Sequence, residues 1–78
     1  MAGIKFEIEE KLGVLSSRTG WTKELNLVSW NNRKAKADIR EWDEEHQKMG
    51  KGITFSKAEL IELREILNNL DLEEIDMV

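Results

Sequence analysis

The chain has no cysteine, so a disulfide framework, a thiolate zinc site and a cysteine nucleophile are all excluded. It has no proline, so it carries no polyproline ligand segment or stiff linker. No apolar run approaches the length of a membrane span, and no signal-peptide pattern opens the chain, so a cytoplasmic protein with no membrane partner is expected. Histidine occurs once, as His46, inside the acidic run Asp43-Glu44-Glu45, which reads as a solvated loop. No Gly-rich phosphate loop and no nucleophile elbow is present, and Gly50-Lys51-Gly52 is too short for a phosphate-binding loop. The chain is therefore read as non-enzymatic, without metal, cofactor or small-molecule substrate. Its 78 residues also leave little material for a core. A chain of that size buries only about 60% of its unfolded surface, and oligomerisation is the remaining common support.

What is present is unevenly distributed. The net charge of −4 divides into +2 over residues 1–57 and −6 over residues 58–78. Residues 18–40 hold six bases (Arg18, Lys23, Arg33, Lys34, Lys36 and Arg40) against Glu24 and Asp38. A basic middle thus precedes an acidic end, with the segment 71–78 as an acidic tail to a single domain spanning 1–78.

Periodicity orders the chain as four strands and one helix. Ile4, Phe6, Ile8, Leu12 and Val14 alternate, with a break at Glu10 and a candidate bulge at Gly13. Residues 16–20 carry turn chemistry. Strands are predicted from Trp21 to Trp30, from Lys34 to Trp42 and from Gly52 to Phe55. A turn at Asn31-Asn32-Arg33 and a polar connection over Asp43–Gly50 separate them. Ser56 and Glu59 form a capping box, and Leu60, Leu63, Ile66, Leu67 and Leu70 follow on one helical stripe. Short turns make the sheet antiparallel, so the fold class is α+β.

Alternation assigns the faces. Leu25, Leu27, Ala35, Ala37 and Ile39 share the side the helix must cover, and Trp21 falls in their register. The other side carries Asn26, Trp30, Lys34, Lys36, Arg40 and Trp42. Phe6 and Phe55 read as core. Taken singly, each outward cation is a solvated charge and each tryptophan a packing residue. Together, two tryptophans on an otherwise polar face are expected to stay out of the monomer core and to meet a ligand or a second subunit. Aromatic rings that stack on bases beside cations that track phosphates are what a single-stranded nucleic acid requires. Lys48 and Lys51, in the connection to the fourth strand, are further candidate phosphate contacts, as is Lys23.

At these residues the chain resembles a known family. Asp38-Ile39-Arg40-Glu41-Trp42, a polar loop, Gly50-Lys51-Gly52-Ile53-Thr54-Phe55 and a capped helix are similar to the C-terminal domain of the transcriptional coactivator positive cofactor four. Trp21 to Trp30 and Lys48 to Gly52 resemble more closely its small bacterial, YdbC-type branch. The resemblance spans roughly residues 14–70. It implies a homodimer, a curved four-stranded antiparallel sheet followed by one C-terminal helix, and binding of single-stranded DNA with little sequence preference. By position it makes Trp30 a base-stacking aromatic, Arg40 the motif arginine, Trp42 the aromatic that follows it, and Lys51 the basic residue before the fourth-strand glycine. The first dozen residues lie outside it and are expected to add a strand, and the turn at Asn31–Lys34 is one residue longer, which touches the match at Arg33 and Lys34. The long Ser- and Lys-rich regulatory tail of the eukaryotic members is missing, which argues against a true coactivator role and leaves a coactivator-like one.

The sequence therefore predicts a dimeric single-stranded DNA-binding protein, acting in transcription or DNA maintenance, with Leu60, Leu63 and Leu67 at the dimer interface. A protein-interaction module built on Trp30 and Trp42, and a protein of single-stranded RNA, are the alternatives.

Overall fold

The computed structural model describes residues 3–78, so the first two residues of the expected N-terminal extension lie outside it. Four strands and a helix follow in order: β1 (Phe6–Arg18), β2 (Trp21–Trp30), β3 (Lys36–Asp43), β4 (Met49–Phe55) and α1 (Lys57–Asn68). The strands form one antiparallel sheet in sequence order. That is the α+β architecture read from the sequence.

The differences lie at the ends of elements. Residues 16–18, expected in a turn, continue β1 to Arg18 and pair with Trp21–Lys23, leaving a tight turn with Gly20 at φ 77°. The N-terminal segment does not add a fifth strand among the described residues. It is instead the start of β1, a 13-residue strand. β3 starts two residues later than expected, and β4 three residues earlier, at Met49. Asn31 and Asn32 adopt φ of 53° and 64°, the left-handed backbone that a tight hairpin turn needs and asparagine tolerates.

Three register shifts interrupt the β1–β2 ladder, between Ile8 and Glu10, Lys11 and Gly13, and Val14 and Ser16. Each adds local twist. Their combined effect bends the long strand, so that Phe6 at its start reaches Trp42 on β3, two strands away, with ring centroids 5.1 Å apart.

The helix is capped as expected: the Ser56 hydroxyl accepts from the Glu59 amide at 3.1 Å, and the Glu59 carboxylate accepts from the Ser56 amide at 2.9 Å. It lies against β3 and β4, and an apolar cleft of about 450 Å³ between Leu25 and Leu60, Ile61, Leu63 and Leu67 marks the sheet face it covers. None of its residues is buried within one chain. Among the described residues the apolar core of the isolated chain reduces to Val28, Ala37 and Trp42. Two of these three lie on the face away from the helix.

Candidate nucleic-acid interface

The β2–β3 register brings Glu24 opposite Arg40, Asn26 opposite Asp38 and Val28 opposite Lys36. With Trp30 and Trp42 at the ends of these rows, and Phe6 paired with Trp30, they make up the face away from the helix. The alternation read from the sequence is thus reproduced for β2 and for β3 from Lys36 onward, while Lys34 and Ala35, expected in the third strand, lie in the connection before it. Exposure is not. Trp42, Asn26 and Asp38 are fully buried, and Glu24 nearly so. The expectation that neither tryptophan holds the monomer core is overturned for Trp42, and Asn26 presents no surface to a ligand. The cause is long-range. Phe6 packs on Trp42 from one side, and the imidazole of His46 stacks on it at 5.7 Å with an interplanar angle of 27°. The loop that reads as solvated in sequence therefore folds over this face. His46 adopts φ of 57°, and its amide donates to the Asp43 carbonyl at 3.0 Å. The Asp43 carboxylate accepts from the Gln47 and Lys48 amides at 2.8 and 2.9 Å, which holds its affinity for a proton below the ordinary aspartate range.

Trp30 remains half-exposed. Phe6 lies 6.0 Å from it, and the guanidinium of Arg40 sits 4.7 Å from its ring centroid. That guanidinium is not free for a phosphate. Its Nε donates to the Asp38 carboxylate at 2.8 and 3.0 Å, and a terminal nitrogen does so at 2.8 Å. Arg40 is accordingly a strut beneath Trp30, the pairing with Asp38 replacing the expected phosphate contact. The opposing residue must be glycine: a Cβ on Gly52 would lie 2.4 Å from both the Arg40 Cβ and the Ile39 carbonyl oxygen.

Glu24 anchors the other half of the face. Its carboxylate accepts from the Asn26 side-chain amide at 3.0 Å and from the Thr22 hydroxyl. The His46 Nε2–H lies 3.1 and 3.0 Å from its two oxygens and donates to them. Burial alone would raise the affinity of this carboxyl for a proton. The three hydrogen bonds and the imidazole outweigh that effect and hold it below the ordinary range.

The remaining candidate cations are accessible. Lys23, Arg33, Lys34, Lys36, Lys48 and Lys51 are all exposed, and none forms an ion pair among the described residues. Lys36 opposes Val28 on the face of the tryptophans, and Arg33 and Lys34 lie in the adjoining connection. Lys23 pairs with Glu41 and lies on the helix side, where Glu41 is also gripped by a bidentate bond from Arg18 at 3.0 Å. The sheet thus separates Lys23 from Lys36, and the same register sets Lys51 beside Glu41 and Lys48 opposite Asp43, on the Lys23 side. Sequence reasoning passed over three residues here. Phe6 and His46 complete the aromatic cluster, and Lys11 pairs with Asn26, adding a cation to this face. Only the period-2 alternation around Phe6 hinted at its side.

No group of three or more His, Asp or Glu side chains converges as a metal site among the described residues, and no helix there is long and apolar enough to cross a membrane. A protein of Treponema pallidum (strain Nichols), described as uncharacterized, is 45% identical over 69 residues, covering 87% of this chain and 81% of the relative. Residues 17–66, which hold the Trp30–Arg40 strut, the β3–β4 hairpin and most of α1, match the family described as Transcriptional Coactivator p15 (PC4), and the chain belongs to that family.

Proposed function

We propose that this protein binds single-stranded DNA with little sequence preference, as a homodimer, in transcription or DNA maintenance. Membership of the PC4 family supports nucleic-acid binding and a coactivator-like role. The observation that carries the single-strand reading is Trp30: a half-exposed ring braced by Arg40 and Phe6, on the face that also carries the exposed, unpaired Lys36. A duplex hides its base faces, whereas a single strand can lay a base on such a ring while its phosphates meet the lysines. Lys11 adds a second exposed cation to this face, and Arg33 lies in the β2–β3 connection next to Trp30. Phe6 links Trp30 to the buried Trp42.

The dimer half of the proposal rests on α1. Leu67 is 47% exposed and Ile66 56%, and Ile53 on β4 is 58% exposed. A second copy covering Leu60, Leu63 and Leu67 would supply the core that one chain lacks. The same apolar strip is what favours a protein-interaction role as the second reading, with another protein in place of the second copy. A titration with oligo-dT, oligo-U and duplex DNA at two salt concentrations tests the proposal. Tight, salt-sensitive binding of oligo-dT and weak binding of duplex is the expected result. Equal affinity for duplex, or none for any oligonucleotide, would overturn it, and tighter binding of oligo-U would reassign the ligand to RNA.

A further inference from the structure

The far face already holds one planar ring in a place where a planar ring need not belong to the protein. The His46 imidazole lies flat on Trp42, and its Nε2–H points at both oxygens of Glu24. Its side chain is 23% exposed, and it lines an open groove of about 530 Å³ with Lys5, Phe6, Asn32 and Gln47. That groove adjoins the ring and is open to solvent. Uncovered, the position offers an indole face and a carboxylate whose other partners, Asn26 and Thr22, remain in place. Asp38 offers no such opening, because Arg40 occupies both of its oxygens. Two polar atoms at this spot lack partners: the Trp42 indole nitrogen and the Asn26 side-chain oxygen are buried without a hydrogen bond. Unpartnered buried polar atoms are uncommon in native proteins and call for an explanation.

We infer that His46 is a placeholder, and that the position between Trp42 and Glu24 is a nucleobase subsite selective for guanine. The inference rests on the single-strand reading above and adds a base preference to it. A carboxylate only accepts hydrogen bonds. Among the bases, guanine alone presents two adjacent donors, N1–H and the N2 amino group, on its Watson–Crick edge. Adenine and cytosine set an acceptor beside a single donor, and thymine flanks its one N–H with two carbonyls. Guanine therefore replaces the imidazole donor with two donors, one for each Glu24 oxygen, and replaces a five-membered ring on Trp42 with a larger stacked surface.

The test compares four oligonucleotides bound by the full chain: oligo-dT, and the same strand with one central dG, dA or deoxyinosine. A bidentate contact of this kind discriminates by about tenfold. Wild-type protein should bind the dG strand about tenfold tighter than oligo-dT and clearly tighter than the dA strand, which controls for purine stacking. Inosine, which lacks the N2 amino group, should lose most of the gain. His46→Ala should keep or increase the dG preference, because the competing ring is gone. Glu24→Gln should bring the dG-to-dT ratio to about one. Should that variant fail to fold, the inosine strand and His46→Ala still decide the matter. Equal affinities for dG and dA strands in both wild type and His46→Ala would overturn the subsite while leaving oligo-dT binding intact. Loss of binding to all four strands would instead remove the single-strand reading itself.

Discussion

Trp30 and Trp42 share a face and differ in function, because of what stands over each. Trp42 is fully buried beneath Phe6 and His46, so Trp42→Ala removes core. The expected loss is about 3–5 kcal/mol, enough to unfold most of a chain of this size. Trp30→Ala removes a half-exposed ring and should cost far less in a urea melt, while weakening oligo-dT binding by about 1–3 kcal/mol. A similar stability loss for the two variants would show that Trp30 is also a core residue. Glu24 supplies a pH dependence whose sign is fixed. Its folded-state affinity for a proton is lowered from the ordinary value of 4.5. The unfolded chain then binds more protons in the window below that value, so stability is full above it and declines as pH falls through the folded value. Glu24→Gln should flatten this acid limb in melts run from neutral pH downward. The remaining slope belongs to Asp43 and Glu41, which are shifted the same way by the Lys48 and Gln47 amides and by Arg18 respectively. An unchanged acid limb in Glu24→Gln would show that its hydrogen bonds are not kept in solution.

At the scale of elements, local signals and long-range consequences part company. The helix start is legible because Ser56 and Glu59 satisfy each other within one turn, and the Asn31-Asn32 turn because asparagine accepts left-handed backbone. The faces of β2 and β3 follow from alternation alone. What no local pattern carries is the curl of β1: three bulges bring Phe6 to Trp42 across 36 positions of sequence. His46 was equally hidden, since left-handed φ at a histidine has no sequence signature. The same logic applies to α1, whose stripe reads as a dimer face in sequence and which buries none of its residues within one chain. Leu67→Glu places a charge in that stripe and should give a monomer, or a chain too unstable to fold, by sedimentation at micromolar concentration. The exposed position of Leu67 keeps the monomer's own packing largely out of the comparison. A wild-type chain that sediments as a folded monomer would refute the assignment.

For the whole molecule the decisive feature is that charge and shape agree. The acidic residues after position 58 lie on and beyond α1, whereas the unpaired cations cluster at the sheet and its hairpins. An acidic protein can thus present a basic surface to one side, and the total of −4 says little about what that surface binds. The sequence located this asymmetry, yet it counted as phosphate contacts residues that the structure treats differently, among them Arg40, neutralised by Asp38, and Lys23, placed on the helix side. Salt dependence separates the two kinds of cation. On a single strand each phosphate contact contributes about 0.7 to the slope of log affinity against log salt. Lys36→Ala and Lys34→Ala should each lower the slope by about that amount and weaken all sequences alike, because a phosphate contact reads no base. Lys23→Ala should leave the slope unchanged. Arg40→Ala should behave differently from all three, since it strips Asp38 of its partner and Trp30 of its support. Its cost should appear as lost thermal stability and lost affinity at every salt concentration, with a slope parallel to that of the wild type. A slope that falls by a full contact in Arg40→Ala would mean that the guanidinium leaves Asp38 for a phosphate when DNA binds.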